Sequence, residues 1–332
     1  MSSAYATLGL FELNRGNLTR ARRLFRRVLK IETRIGRKEG IASAYGYLAY
    51  IARIRGELDG AERHLKRAIA IEEELGRAEG MAASYGNLGV IEQTRGNLEA
   101  AEAYHKKSLA IEEKLGRPEG MANQYGNLGL IERTRGNLEA AEEYHKKSLA
   151  INEKLGRPEG MASDYGNLGL IEWARGNLEA AEAYLKKSLA IEEKLGRPEG
   201  MANQYGNLGV IERASGNLEA AEAYHKKSLA INEKLGRQEG MASVYGNLGV
   251  IERTRGNLEA AEAYLKKSLA IEEKLGRPEG MASVYGNLGL IEQTRGNLAE
   301  ARRLFTLSCE LFRTIGAQDR RQLVQSWIDR LG

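Results

Sequence analysis

The sequence is poor in the residues that most chemistry needs. One cysteine among 332 residues excludes a disulfide framework and a thiolate metal cluster. The four histidines, His64, His105, His145 and His225, have no cluster of further ligands in the sequence around them, so neither a metal nor a cofactor is expected. The last three share one place in the repeat described below, on the apolar side of a helix, and read as satisfied core residues. No apolar run approaches the roughly 18 residues of a membrane span, and MSSAYATLGL lacks the basic-then-apolar order of a secretory signal. No membrane partner and a cytoplasmic location are the expectations. No nucleophile, base and acid come together in the sequence either, so an enzyme is not expected.

What is abundant is repetition. YGNLG begins at Tyr85, Tyr125, Tyr165, Tyr205, Tyr245 and Tyr285, always 40 residues apart, and YATLG at Tyr5 and YGYLA at Tyr45 carry the register to the start. A fixed period overrides a domain count based on length. The chain reads as one quasi-linear array over 1–332: units 1–40, 41–80, 81–120, 121–160, 161–200, 201–240, 241–280 and 281–320, then an amphipathic cap at 321–332.

One unit, residues 241–280, shows how each folds. Met241, Tyr245, Leu248 and Ile251 recur at helical spacing, as do Leu258, Ala261, Leu265, Ser268 and Leu269. Gly256 then supplies a left-handed stop for the first helix and Asn257 the N-cap of the second. Gly276 ends the second helix, and Pro278 opens the next, where its missing N–H costs nothing. A single hairpin cannot bury both of its apolar faces, whereas a stack of hairpins can.

Tyr245, Leu248, Gly249, Gly256, Ala261 and Leu269 resemble, in order and spacing, the tetratricopeptide repeat in a long, 40-residue form similar to that of kinesin light chain, the LGN/Pins adaptors and bacterial multi-repeat proteins. The resemblance covers essentially the whole chain. It implies an all-α fold, a right-handed α-solenoid of eight helix-turn-helix units with a C-terminal capping helix. There are two departures. The family's first-helix tyrosine is replaced by Glu92, Glu132, Glu172, Glu212, Glu252 and Glu292 (Ala52 in the second unit), and the aromatic of the second helix is variously Phe25, Leu65, His105, His145, Leu185, His225, Leu265 and Phe305. The glutamates fall within the buried stripe and need partners; tyrosine hydroxyls, histidine or arginine from adjacent helices are expected.

YGNLG is not a phosphate loop, because no strand precedes it and no lysine-serine pair follows. Its second glycine borders the buried stripe and should let the partner helix approach. Its first glycine and asparagine point away, onto the face that in tetratricopeptide-repeat proteins lines a concave ligand groove. The resemblance therefore implies a ladder of Asn87, Asn127, Asn167, Asn207, Asn247 and Asn287, whose carboxamides could pair with the backbone of an extended peptide. An apolar row runs beside it: Val90, Leu130, Leu170, Val210, Val250 and Leu290. Either it is an exposed interaction strip, or curvature buries it between neighbouring first helices. A third row holds Arg133, Trp173, Arg213 and Arg253, residue types enriched at binding hot spots.

The net charge of +5 is local: residues 1–40 alone carry +7, with ten basic and three acidic side chains. Arg22, Arg23, Arg26 and Arg27 form a basic patch opposite an apolar stripe. Such a patch could attract nucleic acid, but solvated helix faces are often charged, and nucleic acid is not the expected partner. The leading expectation is a scaffold that holds a protein or peptide segment, extended or short and helical. Self-association into a structural assembly is the alternative from another class. Cys309 takes the place of Leu29 and Leu269 and reads as a small buried hydrophobe.

Overall fold

A computed structural model describes residues 2–331. Among the described residues there are seventeen α-helices and no strand, and the chain divides into two compact units, residues 1–167 and 168–332. The first half contains α1 (Ser2–Asn14), α2 (Leu18–Ile35), α3 (Lys38–Ile54), α4 (Leu58–Glu74), α5 (Ala78–Arg95), α6 (Leu98–Lys114), α7 (Pro118–Arg135) and α8 (Leu138–Leu155). The division falls within α9 (Pro158–Ala174). The second half continues with α10 (Leu178–Lys194), α11 (Pro198–Ala214), α12 (Leu218–Leu235), α13 (Gln238–Thr254), α14 (Leu258–Leu275), α15 (Pro278–Thr294), α16 (Leu298–Thr314) and α17 (Gln318–Asp329). The last helix begins three residues before the cap read from the sequence.

Within each half, successive helices pack against one another in chain order, as expected for an all-α solenoid of hairpins. The odd-numbered helices of neighbouring repeats also touch, α5 with α7, α11 with α13 and α13 with α15. In the second half α11, α13 and α15 therefore form a continuous face.

The local signals act much as the sequence suggests. Gly256 sits at φ +84°, and the Asn257 N–H then bonds back to the Glu252 carbonyl at 2.9 Å, closing the end of α13 as a glycine C-terminal motif does. Pro278 stands in the first turn of α15. Asn257 corrects an expectation. It occupies the N-cap place but makes no side-chain cap bond; its Nδ2 instead donates to Glu252 Oε2 at 2.8 Å. Asn97, Asn137, Asn177, Asn217 and Asn297 do likewise with their own glutamates. Only at α2, among the described caps, does the asparagine, Asn17, accept from a backbone N–H.

The replaced tyrosine is explained by the same bonds. Glu92, Glu132, Glu172 and Glu212 are buried, and a buried carboxylate is tolerable only when fully paired. Arginine is the partner, as one of the expected choices, but it comes from the same helix: Arg255 Nη1 reaches Glu252 at 2.7 Å and Glu222 of the preceding repeat at 2.6 Å. Arg95, Arg135 and Arg295 repeat this bridge. Tyrosine hydroxyls serve other acids, such as Glu193 from Tyr205 at 2.8 Å.

The second glycine of YGNLG has its expected packing role. A Cβ on Gly249 would lie 2.7 Å from Leu265 Cγ, and one on Gly209 would lie 2.7 Å from the His225 ring. Such overlaps leave glycine as the residue that fits without moving its neighbour. Cys309 is buried, with its thiol pKa pushed up by burial and its Sγ 3.6 Å from the Arg321 carbonyl oxygen.

Candidate functional site

Because α11, α13 and α15 supply a continuous face in the second half, the side chains at the middle of YGNLG are displayed side by side there. In the second half this face holds a cavity of 740 Å³, whose lining includes Asn207, Asn247 and Asn287 together with Val210 and Val250. Two of the expected rows thus meet in one place. All six apolar residues, Val90, Leu130, Leu170, Val210, Val250 and Leu290, are half-buried, between the exposed strip and the fully covered row considered from sequence.

Asn87 is exposed, and Asn127, Asn167, Asn207, Asn247 and Asn287 are half-buried. Asn87, Asn167 and Asn287 each donate one Nδ2 hydrogen to the carbonyl four residues back, at 2.9, 3.0 and 3.0 Å. Each of these amides keeps one donor and its Oδ1 acceptor for another partner.

The arginine row lies elsewhere than the cavity lining. Arg133, Arg213 and Arg253 are half-buried, and none of them forms an ion pair among the described residues. Gln93, at the same place in its repeat, shows where this row reaches: its Nε2 lies 3.4 Å from the backbone oxygen of Asn127 on the next odd-numbered helix. Burial lowers the pKa of Arg133 and of Arg253, the latter helped by the charge of Arg213. The Nε atoms of Arg213 and Arg253 are buried without a hydrogen-bond partner. Trp173, 42% exposed, is the open member of the row.

Histidine brings a correction. His105, His145 and His225 are buried, as expected, but not all are satisfied. His105 Nδ1 meets Gln124 Oε1 at 2.8 Å and His145 Nδ1 meets Asp164 Oδ1 at 3.2 Å. Both ring nitrogens of His225 lack a partner, and burial, with Arg213 nearby, pushes its pKa down to about 4. No group of three or more potential metal ligands occurs among the described residues, and no described helix is long and apolar enough to cross a membrane.

The first half differs in a way the sequence reading missed. Tyr47 stands where later repeats carry the ladder asparagine, and Tyr50 where they carry valine or leucine. With Leu10, Ile54 and Asn87 they line a cavity of 530 Å³. Tyr50 and Ile54 are both 45% exposed, while Tyr47 is held by stacking on Phe25 at 4.5 Å. The signal was available in YGYLA, read only as a worn copy of the motif. The basic patch is on another face: Arg23, Arg26 and Arg27 are exposed and Arg22 pairs with Glu57 at 3.0 Å. With Thr19, Lys30 and Arg55 these four arginines surround a 600 Å³ surface recess.

Comparison with known proteins agrees with this architecture. The family model described as tetratricopeptide repeat matches residues 1–74, 80–154, 160–234 and 240–314. No curated protein matches the sequence. Among solved structures, the apo form of RapI aligns with TM-score 0.68 at 18% identity, over 83% of this chain and 99% of its own. A Rap protein complexed with competence and sporulation factor aligns with TM-score 0.66 at 14% identity, over 99% and 97%. The Rap conjugation gene regulator of plasmid pLS20, in complex with the Phr* peptide, aligns with TM-score 0.65 at 16% identity, over 88% and 77%.

Proposed function

We propose, from the premise that this chain belongs to the tetratricopeptide-repeat family, that it is a non-catalytic scaffold whose odd-numbered helices hold an extended or short helical segment of a partner protein. The observation that carries this reading is the 740 Å³ cavity in which Asn207, Asn247 and Asn287 meet Val210 and Val250. Amides with a free donor and acceptor suit a peptide backbone whatever its side chains, and the half-buried apolar row supplies area that water gains by leaving. Two of the similar structures are complexes by their own descriptions, one with competence and sporulation factor and one with the Phr* peptide, and the latter supports a peptide partner here. Trp173 and the arginine row would add contacts at the edge of the groove.

The test is capture from a displayed peptide library, with the parent chain compared with a variant carrying Asn207→Ala, Asn247→Ala and Asn287→Ala. Enrichment by the parent and its loss in the variant is the expected result. No enrichment by the parent would contradict the reading. Self-association is the second reading, favoured by the exposed Leu8 and Phe11 of α1, the latter 53% accessible. It calls for a mass in solution that rises with concentration and falls back when Phe11→Ser is introduced.

A further inference from the structure

The arginine patch of α2 breaks a charge pairing that the later units keep. In α4, α6, α8, α10, α12 and α14 a glutamate and a lysine one turn apart form an ion pair, such as Glu62 with Lys66 at 2.7 Å and Glu262 with Lys266 at 2.6 Å. Arg22 and Arg26 hold these two places in α2, and like charges one turn apart destabilise a helix. The lost acid is felt across the joint as well. Glu62 accepts from Arg95 at the end of the next odd-numbered helix, at 2.7 Å. Arg55, at the same place, meets no such acid and turns to Glu57 at 2.9 Å, which it shares with Arg22 at 3.0 Å.

The remaining cations have no carboxylate at all. Arg23, Arg26, Arg27 and Lys30 are exposed and form no ion pair among the described residues. On α4, Arg63 and Arg67 are exposed and free of carboxylates in the same way. The two helices share one field: burial first, then the charges of Arg67, Arg22, Arg63 and Arg26, lower the His64 pKa. A solvated face, the expectation from sequence, carries both signs in the later units; this one carries a single sign.

The make-up of the recess selects its counterpart. Among the described residues its lining is six cations and Thr19, with no carboxylate and no apolar side chain. A protein partner needs an apolar or aromatic anchor at the centre of its interface, and the recess offers none. A single strand needs open aromatic faces on which its bases stack. Tyr5 and Tyr45, beside the patch, already carry the guanidiniums of Arg27 and Arg67 at 5.5 and 5.6 Å from their ring centroids. Recognition of RNA through its 2′-hydroxyls needs uncharged polar partners, and Thr19 is taken by Arg55 at 3.4 Å. A duplex with its bases stacked inside and its phosphates outside asks only for cations, and arginine meets phosphate with two parallel bonds. Arg22, Arg26 and Lys30, with Arg23 and Arg27 beside them, recur every four residues, about 6 Å apart along the helix axis.

We propose that the exposed cations of α2 and α4 form a docking surface for the phosphate backbone of duplex DNA, bound without regard to its sequence. The surface lies on even-numbered helices, so the inference goes beyond the scaffold reading and does not depend on it.

The probe is a fluorescein-labelled DNA duplex of about 20 base pairs, titrated against the full chain by anisotropy from about 50 to about 200 mM KCl. Six unpaired cations predict a slope of log K against log salt of about −5, and an affinity that falls about 10³-fold over that range. Arg23→Gln, Arg26→Gln and Arg27→Gln together are expected to flatten the slope by about 3 and to weaken binding at low salt by at least about a hundredfold. The same three changed to lysine should keep the slope, which a misfolded chain would not. Lys106→Gln, Lys186→Gln and Lys266→Gln together remove as much charge from later units, and should stay within about threefold of the parent. No binding at low salt, or equal weakening in the two glutamine variants, would overturn the proposal. Tighter binding of a single strand, an RNA duplex, decaglutamate or phosphatidylcholine vesicles with about 30% phosphatidylserine would also overturn it, by giving the patch to another partner.

Discussion

In the first half, the fully buried histidines His105 and His145 each meet a partner across the joint between repeats; in the second half, His225 meets none. His105 faces Gln124, and His145 faces Asp164, which also accepts from Asn152 Nδ2 at 2.9 Å. In the second half the corresponding places hold Leu185 and Gln204, then His225 and Val244. Gln204 Oε1 and both nitrogens of His225 are left without hydrogen bonds. The arginine bridge is broken there too, because Ser215 stands where Arg95, Arg135, Arg255 and Arg295 stand, and Glu212 retains Asn217 as its bonded partner, at 2.9 Å. Contacts within a hairpin survive when a unit is copied. Contacts across a joint need two units to match, and copying alone does not guarantee that.

The largest expected effect comes from exchanging the histidines. His145→Leu leaves the buried Asp164 carboxylate with Asn152 as its remaining bonded partner and should cost about 3 kcal/mol, seen as a lower urea midpoint. His225→Leu removes two unpaired nitrogens at similar volume and should change stability by less than about 1 kcal/mol, in the stabilising direction. Equal losses from the two would break the comparison.

Acidification should separate the halves next. The His225 pKa is depressed to about 4 in the fold from an ordinary value of about 6.5. The unfolded chain therefore takes up the proton first as pH falls. Stability from this group is full above pH ~6.5, about 2 kcal/mol is lost by pH ~5, and about 3 kcal/mol by pH ~4. Amide exchange in α11–α13 should quicken accordingly, and His225→Leu should abolish that part of the response. His105, also lowered by burial, sets a smaller effect in the first half because its bond to Gln124 opposes the shift.

Restoring the missing bridge is a smaller change. Ser215→Arg should raise stability by about 1 kcal/mol by linking Glu212 to Glu182, and Arg255→Ser should lower it by a similar amount, measured by chemical denaturation. The ladder asparagines should matter least to folding: Asn207→Ala, Asn247→Ala and Asn287→Ala are each expected within about 0.5 kcal/mol of the parent. Their effect, if the groove is used, belongs to binding.

The hairpins, their glycine stops and the close approach at Gly249 were legible because each depends on residues a few positions apart. The burial of Glu132 was legible, but its ties to Arg135 and Asn137 were not, since spacings of three and five do not announce a shared hydrogen-bond network when the intervening Gly136 reverses the chain. Asn137 shows two preferences in competition, with the buried carboxylate of Glu132 outbidding the helix N-terminus. The pairing of His105 with Gln124 lay across a joint, nineteen residues apart, where helix periodicity gives no register. The tyrosine-lined cavity was hidden by reading the first units as imperfect copies, when their differences change what the face can hold.

The central claim is that the odd-numbered helices carry the binding face. Amide hydrogen exchange, with and without a peptide captured by the parent chain, tests it most directly. Slowed exchange concentrated in α11, α13 and α15, with the even-numbered helices unchanged, is the result this account requires. Protection confined to even-numbered helices, or to the α2 arginine patch, would contradict it.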